Sequence, residues 1–410
     1  MFRRKLMNIL FITLYDIRDI DNNGIYEDLL REFSKNKHNV YMVSPSERRN
    51  GEKTHIIDKQ NCCILKVRTG NIQKTSIIEK GIATVLLEAQ FVNSIKKHYS
   101  KVKFDLVLYS TPPITIAKAV EFVKKRDGAK TYLLLKDIFP QNAVDIGMMS
   151  KTGIKAPIYR YFRHKEKKLY ALSDYIGCMS LANMDYILKH NPDIDKKRVE
   201  VCPNCIEPSD MSVNEEVRVA MRQKYGIPID KKVFVYGGNL GKPQGIDFLI
   251  KCLRSQKDTT DVYFLIVGSG TEYGKLEAYI NKEKPVNVKL MSKLPKVDYD
   301  RMVGSCDVGL IFLDHRFSIP NFPSRLLSYI QAKLPVLAVT DPNTDIGKVI
   351  VNGEFGWWCE SNDVQAFVRT VNDILKLYEK AWGDNGYVFL LVNYTATIAY
   401  NTIINAIEHS

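Results

Sequence analysis

Four stretches of the chain hold residue types whose spacing suits chemistry. In Asn321-Phe-Pro-Ser-Arg-Leu-Leu-Ser-Tyr-Ile-Gln-Ala-Lys-Leu-Pro335, a Pro-Ser turn precedes apolar residues at helical spacing, Leu326, Leu327 and Ile330. Ser324 is expected to cap that helix. Arg325 then falls in the first turn, where the helix end is already partly positive. A cation fits there if an anion such as a phosphate shares the position; the alternative is a solvated arginine on an ordinary helix–strand unit. The second stretch is Tyr236-Gly-Gly-Asn-Leu-Gly-Lys-Pro-Gln-Gly245. Three glycines ahead of Lys242 either let backbone N–H groups approach a pyrophosphate or simply make a tight turn. It is not a Walker loop, which needs Gly-Lys-Ser/Thr before its helix. Third, Asp137 follows the buried run Thr131-Tyr-Leu-Leu-Leu135 almost at once. A carboxylate presented at a sheet's ligand edge suits base or charge-stabilising work, or it is a solvated loop acid or helix cap. Fourth, Ala156–Leu172 sets apolar residues on one helical face and Arg160, Arg163, Lys165, Lys167 and Lys168 around it. That helix either packs on a sheet with a wet basic face or rests on anionic headgroups.

The elements that must position these residues alternate strand and helix. Residues 7–14 are a continuous apolar run of the kind buried in a parallel sheet, and a polar loop leads to Gly24 and a helix over 25–35. Gly24 stands where strand gives way to helix, at the edge where open α/β folds bind ligands, so it is a candidate ligand-loop residue, with plain turn geometry as the alternative. No GxGxxG is present, which gives a dinucleotide reading little support. Residues 50–75 read as irregular apart from a strand at 63–67, and further strands are expected at 104–109, 131–135, 174–179 and 199–203. After a charged linker at 208–216 the alternation restarts at 232–236, 263–267, 288–290 and 307–313. Two helices are expected after Asp363, the last over about 394–408. Domains are placed at 1–208, 209–385 and 386–410, the last segment a helix packing back on the first domain.

Composition narrows the partners. The 410 residues are 45% hydrophobic and 26% charged, ordinary for a globular protein of two or three domains. A net charge of +13 favours anionic partners. No nucleic-acid-binding motif or aromatic–basic platform accompanies it, so nucleic acid is set aside. No apolar run reaches the roughly 18 residues of a membrane span. The basic start before the first apolar run lacks a small-residue cleavage site and reads as a first strand. Eight cysteines include one CxxC, Cys202-Pro-Asn-Cys205, without a second pair or spaced histidines; they read as structural thiols in a reduced compartment.

Taken together, Tyr236–Gly245, Val267-Gly-Ser-Gly270, Leu294-Pro-Lys, Cys306-Asp-Val-Gly-Leu-Ile311 and Pro323-Ser-Arg-Leu-Leu-Ser-Tyr329 resemble the GT-B retaining glycosyltransferases of family 4. Ser110-Thr-Pro-Pro113, Lys136-Asp-Ile-Phe-Pro140 and Val201-Cys-Pro-Asn204 extend the likeness through the first half. The resemblance is strongest to the bacterial branch that builds O-antigen and capsule, N-acetylfucosamine transferases included. It implies a GT-B fold, two doubly wound Rossmann-like domains facing a central cleft, and a nucleotide-sugar donor, UDP-linked, used without a metal. By position Gly238, Lys242, Ser324 and Arg325 inherit the donor diphosphate, Leu294 lies near the base pocket, and Asp137 matches an acidic residue that faces the donor sugar. The implied acceptor is polyprenyl-diphosphate-linked, met at the cytoplasmic face of the membrane by a peripheral enzyme. The chain departs from the family at two places. Pro320 and Ser328 stand where many members carry paired glutamates, and Asn239 and Gln244 where Arg and Lys are common. Asn239 and Ser328 are kept among the expected donor-binding residues, without the family's usual ribose and sugar contacts. The loss of the glutamates fits a different donor sugar, a weakened catalyst, or a silent subunit that scaffolds an assembly complex.

Overall fold

The computed structural model describes residues 5–60, 62–72, 75, 77–379 and 381–408; the basic start at 1–4 lies outside them. Two units emerge: Met1–Glu207 with Ala396–Ser410, and Pro208–Thr395.

The first unit opens with β1 (Asn8–Ile12), four of whose five residues are buried. An apolar run without alternation is what a strand covered on both faces requires. Next come α1 (Ile25–Lys35), β2 (Asn39–Glu47), β3 (His55–Lys59), β4 (Cys62–Thr69), α2 (Ile77–His98) and β5 (Leu106–Thr111). Then follow α3 (Ala117–Asp127), β6 (Lys130–Leu135), α4 (Gln141–Asp145), α5 (Ala156–Leu172), β7 (Tyr175–Cys178), α6 (Leu181–His190) and β8 (Val199–Val201). The sheet runs β3-β4-β2-β1-β5-β6-β7-β8, and only β3 is antiparallel to its neighbour. Strand β3 was not anticipated. It is a half-exposed edge strand with little apolar content, so it lacks the buried run that marks the others.

The second unit holds α7 (Glu215–Lys224), β9 (Lys232–Asn239), α8 (Ile246–Ser255), β10 (Val262–Ser269), α9 (Tyr273–Glu283), β11 (Val288–Met291) and α10 (Lys296–Gly304). It continues through β12 (Val308–Phe312), α11 (Arg325–Gln331), β13 (Val336–Thr340), α12 (Ile346–Asn352), β14 (Gly356–Glu360), α13 (Val364–Leu377) and α14 (Ala381–Asn393). Its six strands are all parallel, in the order β11-β10-β9-β12-β13-β14. This is the doubly wound order, reversing between β9 and β12 as the first sheet reverses between β1 and β5. Because the strands are parallel, every loop that follows a strand of this unit emerges at one edge.

Among the described residues the tail holds three helices after Asp363, not two. Gly383 lets α14 lie directly on the end of α11: a Cβ there would stand 1.9 Å from the Lys333 carbonyl oxygen. The segment 386–410, expected to pack back on the first domain, is therefore divided between the units. α14 stays with the second unit, and α15 (Ala396–Glu408) alone joins the first. There Tyr400 packs edge-on to Phe33 of α1, with ring centroids 4.9 Å apart, and its hydroxyl lies 3.0 Å from His38 Nε2. His38 Nδ1 accepts from the Met7 amide, so a neutral ring donates through Nε2.

Candidate active site

In the second unit the chemistry gathers where β9 ends. Gly238 has φ +124°, a conformation that L side chains rarely adopt, and the space beside it is taken by Arg325, whose Nη2 would be 3.4 Å from an added Cβ. The guanidinium lies over the Tyr236 ring, 4.2 Å from its centroid, with Tyr329 and Tyr299 close by. Tyr329 ties this cluster to the sheet: its hydroxyl accepts from the Gly237 amide (3.1 Å) and donates to the Leu310 carbonyl (3.0 Å). Arg325 pairs with no carboxylate among the described residues, and its buried Nη1 has no hydrogen-bond partner. A half-buried cation with a buried, unspent donor and no countercharge is costly, and an arriving anion would satisfy both deficits.

The glycine loop is organised by Gln244. Its Oε1 accepts from the Gly241 amide (3.1 Å) and from Asn239 Nδ2 (3.2 Å), while the Tyr236 hydroxyl donates to the Asn239 carbonyl (2.7 Å). The two positions that depart from the family's cations thus bond to each other and stiffen the loop. Lys242 is left as its cation, exposed in a 3-10 turn over Lys242–Gln244. The Asp314 amide donates to the Pro243 carbonyl (2.9 Å) and pins that turn to the end of β12.

The helix start behaves differently from expectation. Ser324 has helical dihedrals and makes no capping bond through its side chain. The Leu326 and Leu327 amides go instead to the carbonyls of Pro323 and Ser324. With α11 only seven residues long, the anion site rests on the Arg325 side chain and not on a helix dipole. The Ser324 hydroxyl is exposed, Ser328 is half-buried one turn further on, and Leu294 is half-buried in the connection from β11 to α10.

In the first unit Asp137 emerges just after β6. The Thr111 hydroxyl at the end of β5 accepts from the Lys136 and Asp137 amides (3.1 and 3.3 Å) and donates to the Asp137 carbonyl (3.2 Å). Asn142 of α4 donates to Asp137 Oδ2 at 2.6 Å. Burial nevertheless pushes the Asp137 carboxyl up to about 6, with Asn142 and the Ile138 amide opposing it and nearby Glu166 adding to it. Lys136 points inward and donates to the Cys202 carbonyl (3.2 Å). All eight cysteines are free, and both members of the CxxC are buried.

Gly24 is not the open loop glycine that was expected. Its φ of 178° is extended backbone open to any residue, and its amide is taken by Asp28 Oδ1 at 3.3 Å. The titratable group beside it is Glu27, half-buried and raised by that burial. Lys66, fully buried, pairs with Asp16 and so holds the loop between β1 and α1.

The basic face of α5 is also corrected. Arg163 pairs with buried Glu166 (2.6 Å), Lys165 with buried Glu88 of α2 (2.8 Å), and Lys168 with Glu121 of α3 (2.6 Å). These three cations hold the unit together; Arg160 and Lys167 remain exposed. Among the described residues no helix is long and apolar enough to cross a membrane.

The site residues that sequence reasoning missed are partners. Tyr236, Tyr299 and Tyr329 surround the cation, Gln244 knits the loop, and Thr111 and Asn142 fix Asp137. Tyr329, one helical turn after Arg325, was the one signal legible beforehand.

Residues 217–388 match the model of the family described as glycosyl transferases group 1. The chain is 24% identical over 331 residues to the probable glycosyltransferase WbjE of Pseudomonas aeruginosa, covering 80% of this chain and 79% of that one. It is 21% identical over 280 residues to the putative colanic acid biosynthesis glycosyl transferase WcaI of Escherichia coli K12, covering 67% of each. Among solved structures, sucrose-phosphate synthase from Thermosynechococcus elongatus superposes with a TM-score of 0.74 at 14% identity, over 97% of both chains. Anabaena HepE in complex with UDP gives 0.69 at 12% identity, over 98% of this chain and 100% of that one. At such identities the structural likeness speaks for the fold alone.

Proposed function

From a GT-B fold whose residues 217–388 match the group 1 glycosyl transferases, we infer a retaining, metal-independent glycosyltransferase that moves a hexosyl or N-acetylhexosaminyl group from a UDP-sugar to a polyprenyl-diphosphate-linked glycan. Its place is the assembly of a surface polysaccharide, O-antigen or capsule, at the inner face of the cell membrane. The observation that carries the reading is the uncompensated Arg325 cation beside Gly238. A departing nucleoside diphosphate gains negative charge as the sugar–phosphate bond breaks, and preorganised donors aimed at it lower the barrier. Arg325, Lys242, the Gly238 backbone and the Ser324 hydroxyl supply those donors in place of a metal. Asn239, Ser328 and Leu294 complete the nucleotide and sugar contacts, and Asp137 is the carboxylate of the transfer step.

HepE was crystallised with UDP, and WcaI is named for colanic acid biosynthesis; both support a nucleotide-sugar donor and a polysaccharide product here. The test is a thermal-shift panel of nucleoside diphosphates and nucleotide sugars, since a ligand of the native state raises its stability by mass action. UDP is expected to raise the melting temperature in wild type and much less in Arg325→Ala. A flat response to every nucleotide would overturn the donor assignment and leave the silent scaffolding subunit as the reading.

A further inference from the structure

Three tyrosines surround the Arg325 guanidinium, and their hydroxyls are spent unequally. Tyr329 uses its own on the Gly237 amide and the Leu310 carbonyl, and Tyr236 donates to the Asn239 carbonyl. Tyr299, in the first turn of α10, has a hydroxyl that bonds to none of the described residues. Its side chain is half-buried and belongs to the loop edge of the second sheet, since α10 follows β11. Two glycines fix where that hydroxyl lies. A Cβ on Gly237 would stand 1.8 Å from Tyr299 Oη, so the phenol fills the room that a side chain there would need. On Gly238 the same room faces Arg325 Nη2.

Adjacent glycines thus admit two unspent donors at one place: the Tyr299 O–H and the buried Arg325 Nη1. Burial pushes the phenol up to about 12 against the opposing pull of Arg325, so it keeps its proton at neutral pH. Walling in the cation takes only an aromatic ring, and Tyr236 already supplies the face beneath it. The hydroxyl adds a donor that the fold itself does not use. An oxygen-rich anion engages both donors at once, and a bond from a hydroxyl to a charged oxygen is among the stronger kinds. We propose that Tyr299 is a nucleotide-binding residue, its hydroxyl and Arg325 Nη1 meeting the same diphosphate. It takes up part of the work of the two cations that Asn239 and Gln244 replace. The inference rests on the reading of the glycine loop as a nucleotide-sugar site, and it adds to that site a residue from a separate element.

The test is calorimetry on the full chain with UDP and with uridine, which carries the base and ribose but no phosphate. Tyr299→Phe removes the hydroxyl and keeps the ring. It is expected to bind UDP at least about tenfold more weakly than wild type and to bind uridine as wild type does. Its melting temperature without ligand should be unchanged, because no bond of the fold is lost. Arg325→Ala is measured beside it. Wild-type UDP affinity in Tyr299→Phe, with Arg325→Ala weakened, would overturn the proposal and leave the nucleotide-sugar reading standing. An equal loss for uridine would also overturn it, since Tyr299 would then support the base or the loop and not the diphosphate. A wild type that binds no UDP would refute the nucleotide-sugar reading and this proposal together, a pattern distinct from either of the others.

Discussion

In Arg325→Ala the guanidinium over Tyr236 disappears and with it the donor group beside Gly238. Two effects on the unliganded protein oppose each other. Loss of the cation–π contact costs about 0.5–2 kcal/mol, and removal of a buried charge with an unsatisfied donor returns about 1–3 kcal/mol. Apo stability should therefore move between a loss of about 1 kcal/mol and a gain of about 2.5 kcal/mol. Ligand binding has no such compensation. A charge-assisted hydrogen bond contributes about 1.5–3 kcal/mol, so UDP affinity should fall roughly 10- to 150-fold. With UDP at about one hundred times the wild-type Kd, mass action stabilises wild type by about 2.7 kcal/mol; a variant weakened by about 2 kcal/mol retains only about 0.9. For a unit of this size, about 1 kcal/mol moves the melting temperature by about 2–4 °C. The UDP-induced shift should shrink from roughly 5–10 °C to roughly 2–4 °C. Isothermal calorimetry gives the affinity directly, and scanning calorimetry gives both transitions. An unchanged Kd would refute the assignment, and a collapse of the apo transition would show that Arg325 is structural.

Asp137→Asn should abolish most transfer while UDP affinity measured by calorimetry stays at the wild-type value. Burial holds its carboxyl at about 6, above the ordinary aspartate range, so ionisation works against the fold. The site's stability penalty is absent below pH 4 and complete above pH 6; Asp137→Asn should thus raise stability at pH 7 by up to about 3 kcal/mol and change little at pH 4, as denaturant melts at both pH values will show. The turnover of wild type should fall on an acid limb near pH 6, read from a pH–rate profile. Lys165→Ala leaves Glu88 buried without its cation and should cost about 3–5 kcal/mol in urea unfolding, an outcome foreign to a headgroup-facing lysine. Tyr329→Phe strands the Gly237 amide and should cost about 1–3 kcal/mol by the same measurement.

The strands were legible wherever burial on both faces demanded an unbroken apolar run, as in Leu106–Thr111 and Val308–Phe312. At the sheet edges that demand lapses, and β3 and β14 went unread. Asp137 was readable from its position after a strand. Its raised carboxyl was not, because that depends on burial and on Thr111, twenty-six residues away. Sequence spacing showed five cations around α5 but not their partners: Glu88 lies 77 residues from Lys165. At Ser324 local propensity pointed to a side-chain cap, and the backbone carbonyls of a 3-10-like first turn took its place. The Arg325 site was half legible. Its type and place suggested an anion, whereas the aromatic surround that makes the cation lonely comes from three separate elements.

The return of α15 to the first unit has a consequence for synthesis. α1 and the residue just before β2 present Phe33 and His38 to Tyr400, which leaves the ribosome only after the whole of Pro208–Thr395 has been made. At about 5–20 residues per second, those roughly 190 residues take on the order of 10–40 s. Throughout that interval the nascent first unit carries an uncovered apolar stripe, while the second unit has every element of its own sheet in hand. A chain that stops before Ala396 never covers the stripe, so its first unit should be the part that aggregates.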